Sequence, residues 1–334
     1  MQTNISESMG PLPALPGTFL LPSLDVSRDD MIAFARAFDP QPFHIDEDAA
    51  QNTLLGGLSA SAWYTCARIS GLVDVVMRDL GLGSELAGVE QIMLTAPVRA
   101  GDRLSGCIRL TTVEPCACGE AACQGRIDVE NQRGELVMRL ILDLIVRQSA
   151  VSGPTVWDDC KLRRPRSVRV ERTPRDDVIR HFEEIGIGDE AVLGPYSFNT
   201  RSVETFCALT HAEPEQLGCA AEAMPHAVPN WHLPAAWMEC MLRYYEDEAA
   251  RFAARGWAVP RLGPAAGVKH LRWVRPVHIG ETIVFRGWAE RKMEIASQKD
   301  WGLLVVGAEG INSRGNVVVS FCPQMLIERS RSAA

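Results

Sequence analysis

Between Leu58 and Leu80 the larger apolar residues Trp63, Cys66, Ile69, Leu72, Val73 and Val76 recur at three- and four-residue steps. That period places them on one face and predicts a long helix packed on a core. A shorter helix is predicted over 28–38, with Ser27 as its N-cap and the acid Asp30 at the third position. An irregular segment joins the two. Strands are predicted near 88–96, 102–114, 122–131 and 135–148, the last pair turning through Gln132-Arg133-Gly134. The second half predicts the same order: helices near 200–210 and 233–255, then strands near 267–275, 281–294, 301–311 and 316–328.

The matching order reflects an internal repeat. Gly88-Val89, Pro97-Val98 and Gly101-Asp102 are echoed by Gly267-Val268, Pro276-Val277 and Gly280-Glu281. Asn131-Gln132-Arg133-Gly134 returns as Asn312-Ser313-Arg314-Gly315, Ala62-Trp63 as Ala236-Trp237, and Pro42 as Pro214. The offset grows slowly along the chain, as a few insertions would make it. A repeat this long means two related domains, over 1–150 and 181–334. The stretch 151–180, with Pro154, Pro165, Pro174 and many charges, reads as their linker. One long helix followed by an antiparallel sheet gives an α+β unit with the sheet wrapped on the helix. Two such units can pair their sheets edge to edge.

A length of 334 residues agrees with two domains. The net charge is −8 and no basic tract stands out, which argues against nucleic acid as a partner. No apolar run is long enough to span a bilayer, and Met1–Pro22 lacks the pattern of a signal peptide. The ten cysteines are scattered along the chain, so reduced thiols and a cytoplasmic location are expected. Cys116, Cys118 and Cys123 are close enough in sequence to be weighed as metal ligands. They lack paired C-x-x-C spacing and a nearby histidine, and no metal is expected.

The candidate chemistry lies in Asp39-Pro40-Gln41-Pro42-Phe43-His44. Each proline fixes its own φ and turns the preceding residue away from helix, so the first helix ends near Asp39 and the chain crosses stiffly to His44. A rigid Asp–His pair suits acid–base work, and equally suits a buried Asp orienting a structural His. Gly56-Gly57-Leu58-Ser59-Ala60-Ser61 reads as a glycine turn opening a helix, whose free amides can hold developing negative charge. Ser59 and Ser61 read as helix-start packing or a hydrogen bond near a water. Trp63 and Trp237 read as core residues. Arg99, Arg103 and Arg275 flank strands, where coenzyme phosphates are conceivable partners, but they read as ordinary surface arginines.

Phe38 to Asp46, Gly56 to Trp63, and Gly88-Val89 through Pro97-Val98 to Gly101-Asp102 resemble the MaoC-like dehydratases and R-specific enoyl-CoA hydratases. The resemblance covers 25–148. His181 to Asp189 resembles the family's opening and extends the likeness to 181–328. It implies a double hot-dog fold and reversible hydration of a trans-2-enoyl thioester, usually of coenzyme A. No cofactor is implied beyond coenzyme A within the substrate. Asp39 and His44 match the catalytic acid and histidine, which hold a water between them. Gly57 matches the glycine whose amide bonds the thioester oxygen, and Ser61 lies within reach as a weaker substrate contact. In the second unit Asp39 falls on His211 and His44 on Gln216, near Glu213, and the turn is replaced by Pro225 to Pro234. That unit is expected to have lost its site and to serve as a partner or as a wall of an acyl pocket. Thioester hydrolysis and acyl-thioester binding without chemistry remain open, as does an acyl carrier protein as thiol carrier. A homodimer is expected by symmetry.

Overall fold

Strand β1 (Gly17–Leu20) and the short β2 (Leu24–Asp25) lead into α1 (Arg28–Phe38) in the computed structural model, which describes residues 15–115, 120–148, 170–176, 180–211 and 227–330. The Ser27 hydroxyl caps α1 by accepting from the Asp30 amide at 3.3 Å, and Met31, Ile32, Phe34, Ala35 and Phe38 form its buried face. The predicted irregular segment is in fact partly helical: α2 (Pro42–Ile45) and α3 (Glu47–Gln51) fill it. Pro42 occupies the first position of α2, where a missing N–H and a fixed φ favour a helix. The long helix α4 (Ala62–Asp79) begins later than the predicted start at Leu58. Four strands follow, β3 (Leu82–Leu94), β4 (Arg103–Pro115), β5 (Glu120–Glu130) and β6 (Leu136–Gln148).

After the short β7 (Thr173–Pro174), the second unit runs β8 (Asp189–Ser197), α5 (Thr200–Thr210) and α6 (His232–Ala254). It ends with β9 (Leu262–Trp273), β10 (Thr282–Glu294), β11 (Trp301–Ile311) and β12 (Val317–Glu328). The repeat did not reveal β1 or β8, which pair with the outer strands β4 and β10. Most of 151–180 lies outside the described residues, as do Cys116, Cys118, Glu213 and Gln216. Cys123 is buried in β5, and burial pushes its thiol up to about 11.

A single twelve-stranded sheet runs through both units in the order β1-β4-β5-β6-β3-β9-β12-β11-β10-β8-β7, with β2 paired to β4 off this path. The two halves of that order mirror each other, and β3 and β9 meet at the centre. Their register obeys the repeat: Gly88 pairs with Arg272 and Met93 with Gly267. Gly88 corresponds to Gly267 and Met93 to Arg272, so the two end pairs exchange under a pseudo-twofold. A Cβ on Gly267 would overlap the Ile92 carbonyl oxygen, and one on Gly88 would crowd the Leu271 carbonyl at 2.9 Å. The close approach at the seam therefore requires both glycines.

Each sheet half curls over its own long helix, giving an α+β double hot-dog. Trp63 of α4 and Trp237 of α6 are both buried and both turn an edge toward Phe321, at 5.9 and 5.2 Å between centroids. Phe34 and Phe38 of α1 meet Phe206 of α5 edge-on, at 5.9 and 5.4 Å, and close the unit–unit contact on the helix side.

Candidate active site

Asp39 is the C-cap of α1, 2 % exposed, with its backbone outside the helical region. Its amide closes the last turn on the Ala35 carbonyl at 2.8 Å, and the chain then bends through Pro40. α2 carries His44 back toward the acid, so His44 Nε2 faces Asp39 Oδ2 at 3.4 Å. The other ring nitrogen, Nδ1, lies 2.7 Å from the Ser59 carbonyl oxygen. A carbonyl only accepts, so Nδ1 carries the proton, and Nε2 of the neutral ring presents a lone pair. A lone pair facing a carboxylate oxygen is repulsive unless a proton or a donating water lies between them.

Two side chains hold the acid. Gln41 Nε2 donates to Asp39 Oδ1 at 2.8 Å, and the Ser61 hydroxyl donates to Oδ2 at 2.7 Å. Ser61 also accepts from the Trp63 amide as the N-cap of α4, which points the positive end of that helix at the carboxylate. Ser61 thus supports Asp39. Gln41 was missed as a site residue. Its place between the two prolines, on the same rigid crossing as the pair, was the signal for it.

Gly57 also departs from the reading of the sequence. Its φ of 142° is open to glycine, but its amide donates to the Ala50 carbonyl at 3.0 Å, and it does not line the cavity. Gly56-Gly57 is a turn ahead of an extended stretch, and the helix opens only at Ala62. The Ser59 and Ala60 amides are likewise committed, to the carbonyls of Phe43 and Val98. Ala62, at the cavity wall, is the first residue of α4, where an amide has no carbonyl of its own helix to meet.

Asp39, Gln41 and His44 open onto a cavity of about 320 Å³. Leu55, Trp63, Val98 and Met138 of the first unit line it, and so do Met238, Pro264, Ala265, Val268, Pro323 and Met325 of the second. A second hollow, of about 220 Å³, shares Phe43, Leu54 and Pro264 with it and has Arg261 and Trp301 on its rim. Of the three arginines weighed, Arg99 reaches inward to backbone carbonyls, Arg103 lies 3.7 Å from exposed Asp25, and Arg275 is exposed. No group of His, Cys, Asp and Glu among the described residues is arranged to hold a metal ion. No helix among them is long and apolar enough to cross a membrane.

Residues 15–123 match the MaoC like domain family. The first unit is a MaoC-like domain. A UPF0336 protein from Streptomyces avermitilis is 29% identical over 128 residues, which are 37% of this chain and 85% of that protein. Among solved structures, a putative MaoC domain protein dehydratase from Chloroflexus aurantiacus superposes with a TM-score of 0.71 and 14% identity, over 95% of this chain and 96% of that one. A conserved hypothetical protein from Mycobacterium tuberculosis with a double hotdog fold gives 0.64 and 13%, over 93% and 96%. At such identities these two likenesses concern the fold.

Among the described residues, no second acid–histidine pair stands at the matching place across the pseudo-twofold. His211 is the C-cap of α5, as Asp39 is of α1, so the sequence register is right. Its ring, half exposed, turns out to Asp30 at 3.1 Å. The position matching Ser61 is Ala235, already inside α6, because α6 starts a turn earlier at His232. His232 is fully buried, stacked on Phe206 at 4.7 Å, and burial pushes its pKa down to about 3.

Proposed function

We propose that the protein reversibly hydrates the double bond of a trans-2-enoyl thioester, with coenzyme A as thiol carrier, at the Asp39–His44 pair. The MaoC-like family supports hydratase or dehydratase chemistry in general. The finer reading rests on one observation: a buried acid and a bare imidazole nitrogen face each other at 3.4 Å on the wall of a largely apolar cavity. A water between them meets both. His44 Nε2 takes a proton from it as its oxygen bonds to C3 of the enoyl group, and the electron pair of the double bond moves toward the thioester oxygen. C2 then receives the proton, so one water is added and no charge remains. Asp39 orients the water, and Gln41 and Ser61 keep the carboxylate in place. The Ala62 amide is the donor best placed for the thioester oxygen, a contribution of about 3–4 kcal/mol where such a donor is preorganised. Water and returning proton reach the substrate from one face, and the R configuration follows the family resemblance. The second unit supplies one side of the acyl pocket and no chemistry.

The test is loss of enoyl absorbance with a panel of trans-2-enoyl-CoA substrates, comparing wild type with His44→Ala and Asp39→Asn. Turnover by wild type that falls by about 10²–10⁴-fold in each variant is the expected result. Release of free thiol without loss of the double bond, or variants as fast as wild type, would overturn the proposal.

A further inference from the structure

The geometry points to Arg99 as a positioning residue of the hydration site, an inference that rests on the reading above. Its guanidinium is partly buried and faces the protein backbone. Nη1 donates to the carbonyls of Gly57 at 2.6 Å and Leu58 at 2.9 Å, and Nη2 donates to that of Leu55. These carbonyls belong to the loop that carries Leu54 and Leu55 into the cavity and runs directly into Ser59. Ser59 holds His44 from both sides of its peptide: its amide donates to the Phe43 carbonyl at 3.0 Å, and its carbonyl accepts from His44 Nδ1. The planar guanidinium, with Nη1 on the Gly57 and Leu58 carbonyls and Nη2 on that of Leu55, fixes the peptide plane leading into Ser59, and with it the bond that sets the tautomer and tilt of the imidazole. Arg99 is itself anchored, since its amide donates to Asp102 Oδ2 at 2.8 Å and Asp102 is 2 % exposed.

The second unit keeps part of this arrangement. Its matching turn repeats the anchor, with the His278 amide donating to Glu281 Oε1 at 3.0 Å. It also repeats the neighbouring backbone contact: Val228 donates to Val277 there, as Ala60 does to Val98 here. The residue in the place of Arg99 is His278, and its ring folds back onto Glu281 at 3.1 Å. The turn is thus common to both units, whereas the arginine reaching across to a loop occurs in the unit that keeps the Asp–His pair.

Arg99→Met and Arg99→Lys are compared with wild type and with Arg103→Met, an exposed control four residues on. Each is read for folding by circular dichroism, for kcat and KM on trans-2-enoyl-CoA, and for the His44 ring by nitrogen-15 NMR. The lysine keeps a charge but not the fork. The expected result is folded Arg99 variants whose kcat falls by about 10- to 100-fold with a smaller change in KM, the scale of a misplaced catalytic group. Added methylguanidinium restores part of the rate to Arg99→Met, and the protonated Nδ1 signal of His44 weakens in both variants. A folded Arg99→Met with kcat within about twofold of wild type and an unchanged His44 signal overturns the inference. If the methionine variant does not fold, Arg99→Lys decides by the same criteria. If wild type fails to hydrate any enoyl thioester, the function proposal falls, and the NMR comparison alone decides whether Arg99 holds His44.

Discussion

The carboxylate of Asp39 accepts from Gln41 on one oxygen and Ser61 on the other, so neither donor can be removed without loosening the acid. Ser61→Ala deletes a buried hydrogen bond and a helix cap together. It is expected to lower hydration about tenfold and stability by about 1–2 kcal/mol, read from kinetics and a urea melt. Gly57→Ala is expected to destabilise by about 1–2 kcal/mol in the same melt, because φ of 142° is strained for any L side chain and the new Cβ would come within 3.3 Å of Arg99 Nη1. That Asp39 and His44 would face each other was legible because the prolines between them leave little freedom. The hydrogen-bond partners of Gly57 and Ser61 were not, because they depend on where a helix begins. Four residues separate the glycine turn from α4, and over that distance the amides turn to partners that no local pattern specifies. Arg99 was misread for a related reason: its carbonyl partners lie far back along the chain.

At the level of elements, α4 and α6 show how one helix start comes to face a buried carboxylate and the other to bury a histidine. The additional first turn of α6 brings His232 into an aromatic box of Phe38, Tyr196, Phe198 and Phe206, where burial keeps the ring neutral. The unfolded chain takes up a proton on His232 near its ordinary 6.5 and the native chain only near 3, so native stability falls as pH drops through that window. The limit is about 1.4 kcal/mol per pH unit. Asp74 works the other way: burial pushes its carboxyl up from 3.8 to about 7, so the native state holds the additional proton and stability falls as pH rises between those values. The two slopes oppose each other. Urea melts of wild type and His232→Phe between pH 4 and 6 should therefore differ by a slope that disappears in the variant, and identical slopes would show that His232 does not titrate this way. Helices α1, α4, α5 and α6 and the main strands were legible from period and repeat, whereas the short α2 and α3 were not. β1 and β8 were not: they are outer strands whose pairing comes from the sheet they join, and β8 carries an exposed Val192 where a strand pattern would ask for burial.

Across the whole molecule, the seam between β3 and β9 turns two repeats into one sheet and brings the second unit to the cavity beside Asp39 and His44. Gly267→Ala tests the seam. Its Cβ would overlap a backbone carbonyl that cannot swing aside, and the expected loss of about 2–4 kcal/mol should appear as a lower melting temperature. Ala265→Phe tests the shared cavity, since the residue lines it from β9. The variant is expected to lose activity on long enoyl chains while keeping it on the shortest, measured as kcat/KM across the panel. The edge-to-edge pairing was legible once the repeat was seen. Which second-unit residues reach the cavity was not, because that depends on the curvature of two sheet halves and the tilt of α6.

A cavity that straddles the seam also has a consequence for how the protein can change over time. In two identical subunits every substitution appears twice, on the chemical side and on the opposite side at once. Here the walls from β9 and β12 are written in a separate stretch of chain from Asp39 and His44, so the shape of the cavity can change there while the Asp–His pair and the turn that holds it are inherited intact.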